Sequence, residues 1–177
     1  MIGAPLAAQP SPEQVDRFFD DVYFKFNPTT GTSSGFHQYD TLLEDYSKAG
    51  VDTQVRALQS AEKQFSALPE DPDRDLILNY IRATLLSLEQ VRPWEKNPDS
   101  YSSGVTVSIF DIMSRTFAPP ADRLQSVIAR ERLIPAVFED ARANLKNPPR
   151  IYTEVAIEQL PGIVSFFQTT SRPRSSR

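Results

Sequence analysis

Apolar residues in this chain recur at spacings of three and four, in stretches that prolines separate. Val15, Phe18, Phe19, Val22 and Phe26 make the first stripe, which is the period of one face of an α-helix. Ser11-Pro12-Glu13-Gln14 precedes it. Ser11 can cap, Pro12 suits the first helical position and Gln14 completes a capping box. Asn27-Pro28 ends this helix, because proline pushes the residue before it out of helical backbone geometry. Residues 28–38 are rich in Thr, Ser and Gly and read as a loop. Asp40 is expected to cap a short helix carrying Leu42, Leu43 and Tyr46, closed by Gly50. Asp52 is expected to cap the next helix, with Val55, Leu58, Phe65 and Leu68 on its buried side.

The clearest helical period follows the charged turn "PEDPDRD" (69–75): Leu76, Ile77, Tyr80, Ile81, Thr84, Leu85, Leu88 and Val91. "RPWEKNPDSY" (92–101) interrupts it. "VTVSIFDIM" carries β-branched residues and could be a strand by propensity. Val105, Ile109, Ile112, Met113 and Phe117 recur at helical spacing, however, and no partner strand is visible, so helix is the better reading. Pro119-Pro120 stops and restarts the chain. Leu124, Val127 and Ile128, then Leu133, Ile134, Val137, Phe138, Ala141 and Leu145, give two more amphipathic segments, with Pro135 as a kink or boundary. Thr153-Glu154 opens a last helix through Val155, Leu160, Ile163, Phe166 and Phe167, weakened at Pro161-Gly162.

The pattern predicts an all-α fold, an irregular multi-helix bundle of about seven or eight helices with short proline-rich loops. Its expected organisation is a flexible arm over 1–10, a helical domain over 11–168 and a disordered basic tail over 169–177 bearing Arg172, Arg174 and Arg177. The start, "MIGAPLAAQPSPEQ", fits either a plain arm or the remnant of a signal-peptide cleavage region; the basic and strongly apolar parts of a signal are missing.

Composition narrows the picture. The 177 residues include 15 prolines against 6 glycines, and apart from Pro135 and Pro161 the prolines fall between apolar stripes rather than within them. Net charge is −4 and the pI about 5.1, which argues against nucleic acid as the main partner. No run of 18 apolar residues exists to span a membrane.

Chemistry is limited by what is missing. There is no cysteine and a single histidine, His37, so no thiolate site and no H-E-x-x-H zinc helix can form within the chain. No nucleophile elbow, phosphate-binding loop or dinucleotide fingerprint is present. His37, beside Tyr39 and Asp40, reads chiefly as a structural hydrogen-bond partner in a loop, with ligand contact or catalysis as the sharper alternatives. Asp20-Asp21 and Glu44-Asp45 are adjacent carboxylates. Neighbouring helix positions diverge by about 100°, so they read as solvated helix faces. "PEDPDRD" lacks the spacing of a calcium loop. Trp94 reads as a packing anchor, with ligand stacking the alternative. Lys146 and Arg150 offer charge to an anion, or simply complement a helix end.

Three stretches carry a family resemblance: "NPTTGTSSGFHQYDTLLEDYS", "PWEKNPDSY" and "LKNPPRIYTEVAIEQLPGIVSFF", in that order. Together they resemble the N-terminal part of the bacterial "domain of unknown function 885" family, over roughly residues 12–168. Gly35 to Asp40 matches a G-x-H-x-Y-D type stretch of that family. The resemblance implies a large, mostly helical, extracytoplasmic zinc-peptidase-like fold whose H-E-x-x-H lies downstream of anything in this sequence. Periplasmic or extracellular location is implied in the same way.

The resulting expectation is a non-catalytic N-terminal helical region of a metallopeptidase-like protein, walling or covering a substrate cleft in the intact relative. It carries no catalytic, cofactor-binding or metal-binding residue of its own, and zinc is expected only in the missing downstream region. His37, Tyr39, Asp40 and Trp94 are the candidate cleft-facing residues. A shortened or frameshifted reading frame would account for the break in composition at "TTSRPRSSR". The alternative is a stand-alone helical module binding a peptide or protein. Either way, exposed apolar surface is expected to support partner binding or self-association.

Overall fold

The computed structural model describes residues 10–170. The arm and the basic tail expected from sequence lie outside these residues except for Pro10, Thr169 and Thr170. Thr169 and Thr170 continue the last helix rather than joining a tail. Every regular element described is helical, and the all-α expectation is met. The helices are α1 (Pro12–Phe18), α2 (Pro28–Ser33), α3 (Lys48–Ser66), α4 (Pro72–Leu85), α5 (Asp99–Ser114), α6 (Pro120–Glu131), α7 (Ile134–Asn144) and α8 (Arg150–Thr170). Within the expected helical region, two compact units are distinguished. The first holds the described residues up to Tyr39 together with Glu44–Arg92; the second holds Asp40–Leu43 and the described residues from Pro93 on.

In the first unit, α1 starts as the sequence predicts. Ser11 Oγ accepts from Gln14 N, and the Gln14 side chain accepts from Ser11 N at 2.9 Å. The helix then widens into a π-helical turn, Phe19–Phe24. A second π-helical turn, Leu86–Val91, continues α4 and ends where Arg92 takes a left-handed φ of 54°. Helices α3 and α4 are the main body. Phe18, Leu58, Ala61, Phe65, Ile77, Leu78, Ile81 and Leu85 form its core, and each large apolar side chain so buried contributes about 1.5–3 kcal/mol of transfer free energy. Leu76, which the α4 stripe placed inside, is 66% exposed.

Local corrections cluster between residues 28 and 52. Residues 28–33 are helical as α2, not loop, because Pro28 occupies the first turn and the loop's Thr and Ser residues find backbone partners there. No helix forms from Asp40; residues 43–46 are irregular, and α3 begins at Lys48. Ser47 rather than Asp52 is its cap, with Ser47 Oγ accepting from Gly50 N at 3.0 Å. Gly50 therefore sits in the first turn of α3 instead of ending an earlier helix. A Cβ there would stand 2.4 Å from Asp45 Cγ, so the close approach of Asp45 selects glycine.

In the second unit, α5 is the central element, packed by α6, α7 and α8. Its β-branched segment is helical, as the spacing predicted. Val105, Ile109 and Ile112 are fully buried, while Met113 faces outward. Ile109, Ile112 and Val127 form a cluster flanked by Phe117, Phe166 and Phe167. Arg123 closes the end of α5: its Nη1 donates to the carbonyls of Ile112, Met113 and Arg115 at 3.1, 3.0 and 2.7 Å, satisfying acceptors a helix C-terminus leaves open. Pro135 marks a boundary, in the first turn of α7. The last helix opens at Arg150, earlier than Thr153, and runs through Pro161 without interruption.

Candidate functional site

The loop containing His37 is held from several sides. Asn27 Nδ2 donates to the Tyr23 carbonyl at 2.7 Å and to Tyr80 Oη at 3.1 Å, which fixes the junction of the π-helical turn and α2. Glu44 reaches back over 15 positions. Its carboxylate accepts from Thr29 N at 3.0 Å and from Thr29 Oγ1 at 2.8 Å. A carboxylate at that end of a helix meets otherwise open backbone donors and the positive end of the helix dipole. Glu44 is thus no solvated helix face, and Asp45 instead accepts from Ser47 N at 2.9 Å. Asp20 and Asp21 do lie on an exposed helix surface.

Phe24, Phe36 and Tyr39 line the turn. The Phe24 ring lies 4.7 Å from that of Phe36 and 5.7 Å from that of Tyr39. Gly35 has φ of +93°, a conformation that favours glycine, and Phe36 N donates to the Gly31 carbonyl at 2.9 Å. His37–Tyr39 then forms a 3-10 turn with His37 exposed and Tyr39 half-buried.

Of the four residues singled out by sequence, His37 and Tyr39 share this turn of the first unit, while Asp40 and Trp94 belong to the second. Asp40 is buried, 4% exposed. Trp94 is buried in a 3-10 turn, Pro93–Glu95, and its carbonyl accepts from Tyr101 Oη. Asn144 Nδ2 donates to the same Tyr101 oxygen at 3.1 Å. The packing reading of Trp94 fits this arrangement.

The residues missed by sequence reading are those whose partners lie far along the chain. Tyr101 with Asn144, separated by 43 positions, is one case. Arg130 is another: it is fully buried, and its Nη1 donates to the Ser108 carbonyl at 2.6 Å. An arginine on an amphipathic helix gives no local sign of such burial.

The tyrosines whose hydroxyls are displaced are not poised as bases near neutral pH. Burial pushes the Tyr39 hydroxyl above its ordinary value, and the Asp20 and Asp21 carboxylates add to this while a bond to Gln38 opposes it. Burial likewise raises Tyr80 and Tyr101. A base working near pH 7 needs the opposite displacement. Among the described residues, no group of three or more His, Cys, Asp or Glu side chains is placed to hold a metal ion. "PEDPDRD" is a helix start, with Asp71 Oδ1 accepting from Asp73 N at 2.9 Å and Arg74 Nη1 pairing with Asp75 at 2.8 Å. Arg150 is engaged by Glu154 at 2.6 Å. No described helix is long and apolar enough to cross a membrane.

Open concavities exist in both units. One of about 440 Å³ lies between α1 and α3, with Phe18 and Phe65 at its apolar side and Arg17, Asp21 and Gln64 at its polar side. In the second unit a groove of about 480 Å³ runs between α5 and α8.

The family model described as "Bacterial protein of unknown function (DUF885)" matches residues 28–176. Among solved structures, the chain is similar to one described as "a putative lipoprotein of unknown function from Shewanella oneidensis", at 28% identity and a TM-score of 0.79. The match covers 95% of this chain and 33% of that one. The chain therefore spans about a third of that relative's length. No curated protein gives a significant match.

Proposed function

The chain belongs to the DUF885 family of bacterial proteins, and from that premise we propose that it supplies a non-catalytic helical flank of a zinc-peptidase-like fold. Its role is to wall or cover a substrate cleft that other sequence completes. The observation that carries this reading is the coverage. Nearly the whole chain has a counterpart in the Shewanella relative, yet that counterpart is a third of the relative's length. Residues for metal binding and hydrolysis would then lie in the remaining part, consistent with a chain that has one histidine and no cysteine. His37, exposed on a braced turn, and Tyr39 beside it would offer polar contacts to a substrate. Asp40 and Trp94 are both buried, in the second unit.

The test is a peptidase assay on the purified chain with added zinc. No turnover is expected. Hydrolysis abolished by a chelator and restored by zinc would overturn the reading.

The open groove between α5 and α8 favours a second reading, a self-sufficient helical module that binds a peptide. That reading requires a monomer with a cooperative melt and little binding of apolar dye. The flank reading expects an apolar surface that binds dye or self-associates.

A further inference from the structure

Helix α8 is unusual for its composition. It has 21 residues, many of them apolar, yet Ala156 is its one buried side chain among those described. Ile157, Leu160 and Val164 are 59%, 43% and 50% exposed. They stand at i, i+3 and i+7, so they form one continuous stripe. Helices ordinarily turn such a stripe inward, and a contiguous exposed one marks an interface.

The stripe borders an apolar socket of about 210 Å³ between α7 and α8. Tyr101, Ala141 and Ala156 line its buried side, and Phe138, Ile157 and Leu160 its more exposed rim. The two alanines leave the space that larger residues would fill. The Tyr101 hydroxyl is already committed to the Trp94 carbonyl and Asn144, so the socket offers little to a polar guest. Its size and lining suit one large apolar side chain projecting from a helix, the usual anchor in helix-in-groove recognition.

We infer that this socket and stripe seat an amphipathic segment of the family chain lying outside the span of the present one. In the Shewanella relative, the region matching this chain is 33% of the protein, and the rest must pack somewhere on it if the relative is one fold. The exposed apolar face of α8 is a surface of the second unit able to receive it. The inference rests on reading the chain as one flank of a longer fold, and does not depend on that flank being non-catalytic.

Hydrogen–deuterium exchange, measured on the purified chain and on the intact Shewanella relative, tests it. The relative's helix aligned with α8 should exchange at least about tenfold more slowly than α8 itself, because a covered helix opens less often. Equal exchange in the two proteins would overturn the inference. In the purified chain, Leu160→Asp should lower apolar-dye fluorescence while leaving the circular dichroism spectrum unchanged. Ile157→Asp is the second variant should the first fail to fold. Dye binding unaffected by both folded variants counts against the assignment. So does a discrete dimer of this chain dissociated by either variant, which would give the face to a second copy. Chelator-sensitive hydrolysis by the pure chain would remove the non-catalytic reading while leaving the exchange result standing.

Discussion

A Cβ added at Gly31 would lie 2.6 Å from Tyr39 Cδ2 and 2.9 Å from Cγ. Turning the ring about its own axis does not move Cγ, and Tyr39 Cβ is itself 3.2 Å away, so relief requires the Tyr39 side chain to leave its rotamer or the turn to shift. Alanine normally improves a helix by about 1 kcal/mol over glycine, but this overlap acts the other way. Gly31→Ala should cost about 1–3 kcal/mol, read from urea unfolding. Tyr101 gives a pH-dependent prediction. Burial raises its pKa from 10.0, Asn144 partly opposes the shift, and the Asp140 and Glu95 charges add to it. The folded state therefore holds this proton more tightly than the unfolded one. The associated stability is fully present below pH 10 and is lost as pH rises through the folded-state value. Thermal melts above pH 10 should show a falling Tm, with a shallower fall in Tyr101→Phe. Neither effect could be read from sequence. Gly31 and Tyr39 are separated by a turn whose geometry is tertiary, and Tyr101 finds Asn144 across 43 positions.

Helices were legible where the apolar period was long and punctuation plain. The Ser11 capping box and the α4 stripe both formed, and the spacing in "VTVSIFDIM" outweighed its β-branched composition. The 28–52 region was less legible because one local signal competed with a distant partner and another with a neighbouring cap. Thr29 draws Glu44 away from any helix of its own, and Ser47 takes the capping role expected of Asp52. The correction is testable. Ser47→Ala should cost about 1 kcal/mol, whereas Asp52→Ala, losing an exposed pair with Lys48, should cost about 0–0.5 kcal/mol. Equal losses would contradict this assignment of the cap. At the far end of α5, Arg123→Ala should cost about 1.5 kcal/mol by leaving four carbonyls, that of Ala118 included, without their charged donor; denaturant midpoints at constant m-value check it.

For the whole molecule, composition was most informative by exclusion. A chain with one histidine and no cysteine cannot by itself build a histidine-pair or thiolate metal centre. What composition could not show was surface. The α8 residues expected inside, Val155 and Leu160 among them, are 39% and 43% exposed. Helical spacing marks an apolar face without saying whether this polypeptide or another covers it. The measurement that bears most directly on the central claim is a zinc titration of the metal-free purified chain by calorimetry. A non-catalytic flank should take up zinc only weakly and without defined stoichiometry. Tight binding of one zinc ion per chain, lost in His37→Ala, would contradict it.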